Sequence, residues 1–108
     1  MDIEVGGNKV QTISTHKEWM NVLNCLDSMS DPFIVLSFSN QIVQTIKDSK
    51  GFILEWYDNS VHRKAKGYFT KQEIASLLND IVAGKDHFKT SVKWKIVYEK
   101  KMIPLLGS

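Results

Sequence analysis

Cysteine occurs once in the 108 residues, at Cys25, so no disulfide can close within the chain. Cys25 lies inside the apolar-periodic stretch Trp19–Leu26. That setting predicts a small packing residue in a reducing compartment. No base stands near it in sequence to activate it as a nucleophile. Histidine is almost as sparse: His16, His62 and His87 stand apart. None of them has the partner spacing that puts two metal ligands on one helical face, and one thiol cannot build a thiolate cluster. No metal or other cofactor is therefore expected. Gly6-Gly7 lacks the strand–loop–helix context and the Lys-Ser/Thr pair of a phosphate cradle. A Gly-x-Ser-x-Gly elbow is also missing. No apolar run approaches the ~20 residues that span a bilayer. The start, Met1-Asp2-Ile3-Glu4, lacks the basic and apolar regions of a secretory signal. The expectation is a soluble cytoplasmic protein. Charge of one sign is scarce too: 14 Lys+Arg against 12 Asp+Glu leave +2. Nucleic-acid-binding domains are usually far more basic, so the basic clusters His62–Lys66 and Lys100-Lys101 read as solvated surface.

What is present is material for a core. Hydrophobic residues make up 43% and aromatics 10%. A chain of this length buries roughly 60–70% of its unfolded surface. One domain over 1–108 is expected. In "STHKEWMNVLNCLDSM", Thr15 and Glu18 form a capping box, and Trp19, Val22, Leu23 and Leu26 recur at helical spacing. This predicts a helix over 16–28, stopped before Asp31-Pro32. "FTKQEIASLLND" repeats the device with Thr70 and Glu73, and with Ile74, Leu77, Leu78 and Ile81 as its apolar stripe. It predicts a helix over 71–83, ended at Gly84.

The remaining segments read as strands separated by turn residues: Gly6-Gly7-Asn8, Ser39-Asn40, Ser49-Lys50-Gly51 and Asp58-Asn59. The final one, "SVKWKIVYEK", alternates, which would put Val92, Trp94, Ile96 and Tyr98 on one face. The order is ββαββββαβ. Four consecutive strands with short turns require antiparallel neighbours. The expected fold is α+β, an antiparallel sheet with two helices packed on one face as a two-layer sandwich.

In "GFILEWYD" the alternation predicts Phe52, Leu54 and Trp56 in the core, and Ile53, Glu55 and Tyr57 on the opposite face. Glu55, Asp58 and Asp86 are the carboxylates available for acid–base work. A small sandwich offers little room for a deep pocket, however, and a binding module fits the residues better than an enzyme. Specific protein interfaces occupy ~800 Å² per partner, and surface aromatics carry much of their affinity.

Three segments carry a resemblance: "VQTIKDSKGFILEWYD", the polar strand with His62, and "FTKQEIASLLNDIVAGKDHFKTSVKWKIV". Gly51 precedes a strand ending Leu54-Glu55-Trp56, a helix ends at Gly84-Lys85-Asp86, and a closing strand carries Trp94. Over about residues 42 to 98 the chain resembles the small bacterial immunity proteins of contact-dependent growth inhibition and other polymorphic toxin systems. The resemblance implies an antitoxin whose partner is the C-terminal domain of a cognate toxin. It brings no catalytic residues. Immunity proteins against nucleases are often acidic, and this chain is slightly basic, so local acidic patches would do the work. The candidate contact residues are Asp48, Glu55, Tyr57, Asp58, His62, Arg63 and Asp86, with Asp80 beside them. The competing reading is a single-stranded nucleic-acid-binding module, in which Arg63, Lys64 and Lys66 meet phosphates and Trp56 and Tyr57 stack on bases. Free sheet edges leave homodimerisation open.

Overall fold

The computed structural model describes residues 1–99. Lys100-Lys101 lies outside the described residues. The first two strands, β1 (Asp2–Val5) and β2 (Asn8–Val10), form a hairpin, followed by helix α1 (His16–Leu26). Four strands come next: β3 (Phe33–Phe38), β4 (Gln41–Asp48), β5 (Gly51–Asp58) and β6 (Val61–Ala65). Helices α2 (Lys71–Val82) and α3 (Phe88–Ser91) then lead to β7 (Trp94–Glu99). The fold is α+β. All seven strands join one sheet in the order β2-β1-β3-β4-β5-β6-β7, and every neighbouring pair is antiparallel.

The expected order ββαββββαβ is corrected to ββαββββααβ, with three helices in place of two. The addition, α3, is four residues long, too short to show a period. Tertiary packing holds it. Phe88 is buried edge-on against Trp56 at 5.2 Å and Phe38 at 6.3 Å, and its carbonyl accepts the Trp94 indole N–H at 2.9 Å. Val92, expected in the last strand, instead caps α3. The second strand is short, ending at Val10.

Both longer helices begin as their caps predict. Thr15 accepts the Glu18 N–H at 3.1 Å, and Thr70 with Glu73 forms a complete reciprocal box. Trp19, Leu23 and Leu26 of α1 meet Ile74, Ala75, Leu78 and Ile81 of α2 in a single core. Each fully buried aliphatic side chain contributes ~1.5–3 kcal/mol relative to exposure. The start of α2 lies against the end of α1, where Lys71 Nζ reaches Asn24 Oδ1 at 3.1 Å and Asp27 Oδ2 at 2.9 Å. Lys47 of β4 pairs with the same Asp27 carboxylate. Cys25, expected to pack, is exposed. The buried positions Trp19, Leu23 and Leu26 place it off the stripe that the core covers.

The strands contribute one side to this core: Ile3 and Val5, Ile34 and Leu36, Val43 and Thr45, then Phe52, Leu54 and Trp56. This is the parity that alternation predicts for β5. Thr45 is the lone buried polar residue among those described, and its hydroxyl donates to the Ile53 carbonyl at 2.8 Å. The β4–β5 turn needs glycine. Gly51 has φ +138°, and a Cβ there would stand 3.0 Å from the Phe69 carbonyl oxygen. That carbonyl belongs to a short bridge in which Phe52 and Phe69 exchange both backbone hydrogen bonds.

Candidate functional site

The other side of the sheet, here the outer side, can be read row by row from the strand register. A middle row crosses all seven strands: Lys9, Glu4, Val35, Gln44, Glu55, Lys64, Lys95. Toward one end of the strands runs Asp2, Ser37, Ile42, Tyr57, His62, Tyr98. Toward the other end, Phe33, Ile46 and Ile53 stand side by side. Apolar, aromatic and charged side chains therefore alternate over one continuous surface. None of them is fully buried, and Ile42 and Tyr98 are 39% and 62% exposed.

Tyr98 belongs to this side because of a bulge. Between His62 and Arg63 the register with β7 slips, so that Arg63 opposes Ile96 while His62 opposes Tyr98. Two partners' worth of alternation is interrupted at Val97. The expected single face of Trp94, Ile96 and Tyr98 is corrected accordingly: Trp94 and Ile96 share the core-side parity, and Tyr98 turns outward.

On β5 and β6 three candidate residues converge. Glu55 Oε2 accepts the Tyr57 hydroxyl at 2.8 Å and lies 2.7 Å from His62 Nε2. The Tyr57 and His62 rings are stacked, with centroids 4.1 Å apart and planes 14° from parallel. Strand geometry explains the meeting. Glu55 and Tyr57 are two apart on β5 and so share a face, and His62 is the cross-strand partner of Tyr57. Burial, and then the adjacent Glu55 carboxylate, push the Tyr57 hydroxyl up from 10.0 to about 12. Tyr57 is thus held as a neutral donor. Both donors are spent on one carboxylate oxygen, a closed arrangement suited to a fixed recognition element. Glu55 Oε1 takes no side-chain hydrogen bond from the described residues.

A shallow notch of about 350 Å³ opens beside this group, lined by Tyr57, Asn59, Ser60, Val61, His62 and Tyr98. A hollow of about 700 Å³ lies at the β3–β4 hairpin, where Asp2 and Phe38 are among its lining residues.

The other candidates lie elsewhere. Asp48 is at the opposite end of the β4–β5 hairpin, where its Oδ1 caps the turn by accepting the Lys50 N–H at 2.8 Å. Asp58 ends β5 and stands 3.8 Å from Arg63 Nη1. Arg63 shares the core-side parity and lies over the Trp56 ring at 4.2 Å. Asp86 is exposed in the loop before α3, and Asp80 on α2 faces Lys85 at 3.9 Å. Trp56 is 6% exposed, with its indole N–H bonded to Gln41 Oε1, so the expected Trp56–Tyr57 stacking platform is split between the two sides. Sequence reasoning missed Tyr98, because alternation without the bulge points it inward. It also missed Lys95 as a neighbour of Lys64, a pairing set by the β6–β7 register.

Among the described residues, no group of three or more His, Cys, Asp or Glu side chains is placed to hold a metal ion. No described helix is long and apolar enough to cross a membrane. Compared with family models, curated proteins and solved structures, the chain matches none.

Proposed function

We propose that the chain is an immunity protein, a stoichiometric inhibitor that binds a cognate toxin domain and blocks its active site or substrate path. In this reading it is a two-layer plug: α1 and α2 back one face of the sheet, and the outer side is the working surface. One observation carries the reading. The outer side presents a continuous mixed surface, apolar at Val35, Ile42, Ile46 and Ile53, with the fixed Glu55–Tyr57–His62 group beside them on β5 and β6. Interfaces of this kind take their affinity from a few rigid aromatic anchors. The resemblance over about residues 42 to 98 supplies the class of partner. The candidate contacts narrow to Glu55, Tyr57 and His62, joined by Tyr98.

The test is protection. Cells expressing the C-terminal toxin domain encoded by the neighbouring gene should survive only when this chain is co-expressed. The purified pair should associate at about nanomolar strength, near −12 kcal/mol. Tyr98→Asp, a change at an exposed position of the outer side, should weaken both while the chain still folds. Failure to protect, or protection indifferent to Tyr98→Asp combined with Tyr57→Ala, rejects the reading.

A second reading has its own observation. Lys64 and Lys95 share the outer side with Tyr57, His62 and Tyr98, a basic and aromatic combination that suits single-stranded nucleic acid. The Glu55 carboxylate at its centre opposes phosphate. Fluorescence polarisation with labelled oligonucleotides at low salt decides between them: salt-sensitive binding favours this second reading, and a flat signal removes it.

A further inference from the structure

The two edges of the sheet differ. At one edge β2 has three residues, Asn8–Val10, of which only Val10 is apolar. At the other edge β7 has six, Trp94–Glu99, and among the described residues no strand pairs with its far side. Ile96, Val97 and Tyr98 of β7 are consecutive, and they are 55%, 52% and 62% exposed. No other described strand exposes large apolar side chains in succession. Edge strands are ordinarily blunted by shortness or charge, because their free N–H and C=O groups invite another strand. Here β2 is blunted and the middle of β7 is not.

The bulge decides which strand fits. A straight strand cannot match a bulged edge along its whole length, since the bulge reverses the alternation part-way. Val97 is the extra residue. Lys95 lies on the outer side before it, Tyr98 on the outer side after it, and Trp94 and Ile96 on the core side. Residues directly opposite each other in an antiparallel pair share a face. A second copy related by a two-fold axis midway between Ile96 and Val97 meets that condition. Lys95 then stands opposite Tyr98 of the second copy, outer side to outer side, and Ile96 stands opposite Val97. Moving the axis onto Ile96 sets core-side Trp94 against outer Tyr98, and moving it onto Val97 sets core-side Ile96 against outer Tyr98. Charge agrees with this register. Lys95 already has Lys64 as its cross-strand neighbour on β6. A parallel pairing in register would add a second Lys95, whereas the antiparallel one offers it an aromatic ring. We infer that β7 is a self-association edge, at which two copies of the chain pair antiparallel about the bulge and continue one sheet. The pairing extends the sheet sideways and leaves its outer side open, so it is independent of the immunity reading. Six residues from each copy fall short of the ~800 Å² per partner of a stable interface, and the dimer is expected to form at about tens of micromolar.

Sedimentation velocity of the full chain from about 5 to about 500 μM tests this. The expected result is a reversible monomer–dimer equilibrium. Val97→Lys, at an exposed position, should weaken it about tenfold or more, and Val10→Lys on the opposite edge should leave it unchanged. Cross-linking tests the register without relying on Val97. In a Cys25→Ser background, a mixture of Lys95→Cys and Tyr98→Cys chains should form a disulfide-linked pair, because directly opposite residues lie within disulfide reach. Either variant alone should not. A chain that stays monomeric throughout, a dimer indifferent to Val97→Lys, or cross-linking of like with like overturns the inference. So does a monomer whose β7 amides exchange slowly on their far side, since residues 100–108 would then cover the edge. Val97 is outside the rows assigned to the toxin, so Val97→Lys should still protect cells. Protection by a strictly monomeric chain keeps the immunity reading and loses this one, and a dimer that fails to protect does the reverse.

Discussion

His62 lies face to face with Tyr57 across the β5–β6 pairing, and both rings direct a polar atom to the same oxygen of Glu55. The two side chains are thereby locked against each other in a surface position, where side chains are ordinarily free to move. Rigid rings at a surface lose little conformational entropy when a partner covers them.

The Tyr57 proton follows from this. Its hydroxyl is raised to about 12, first by burial and then by the hydrogen bond to Glu55 and its charge. An unfolded tyrosine ionises near ~10. The folded chain holds the proton more tightly, so this contribution to stability is whole below pH ~10 and is lost as pH rises through the folded value. Ultraviolet difference absorbance should show one tyrosine titrating well above the ordinary range. Glu55→Gln should bring it down only part of the way, because burial remains. A tyrosine set with no member above the ordinary range contradicts the stacked arrangement.

Gly51 should tolerate no side chain. At φ +138°, with the Phe69 carbonyl 3.0 Å from the place of a Cβ, an added methyl group meets backbone rather than a movable side chain. Gly51→Ala is expected to cost ~1–3 kcal/mol, seen as a lower urea midpoint at unchanged slope.

Trp19 is wholly buried, yet its indole Nε1 has no hydrogen-bond partner among the described residues. The ring therefore acts through its volume. Trp19→Phe removes a donor that was bonding nothing and should cost under ~1.5 kcal/mol, whereas Trp19→Ala should cost ~3–5 kcal/mol. Equal losses from the two would mean that the N–H finds a partner in solution.

Phe88 is expected to be the pin of α3. Phe88→Ala opens a cavity between Trp56 and Trp94 and should cost ~3–5 kcal/mol. Tryptophan fluorescence should report it directly, since Trp56 and Trp94 both lose the ring packed edge-on against them, while the Phe88 backbone carbonyl that accepts the Trp94 indole N–H is retained. An unchanged emission spectrum would contradict this packing.

The two capped helices, the four-strand meander and the facing of β5 were legible because each is specified locally. Caps sit three residues apart, turn residues fall between apolar runs, and alternation has period two. The failures are non-local. α3 exists because Phe88 fills a space made by strands far away in sequence, and no four-residue window reveals that. Cys25 fell within an apolar run but off its stripe. At the site, Glu55 and Tyr57 could be placed on one face from β5 alone. The arrival of His62 and Tyr98 depended on cross-strand register, including a slip that alternation cannot announce.

The chain's route through the sheet has a further consequence. Successive strands from β3 to β6 are joined by tight turns at the strand ends, and the buried side chains of α1 and α2 belong with the core-side parity. The outer rows thus vary apart from the interior: a substitution at an exposed outer position such as Ile42 or Tyr98 meets neither the helices nor a tight turn, so that side of the sheet can change its chemistry while the backbone route stays as it is.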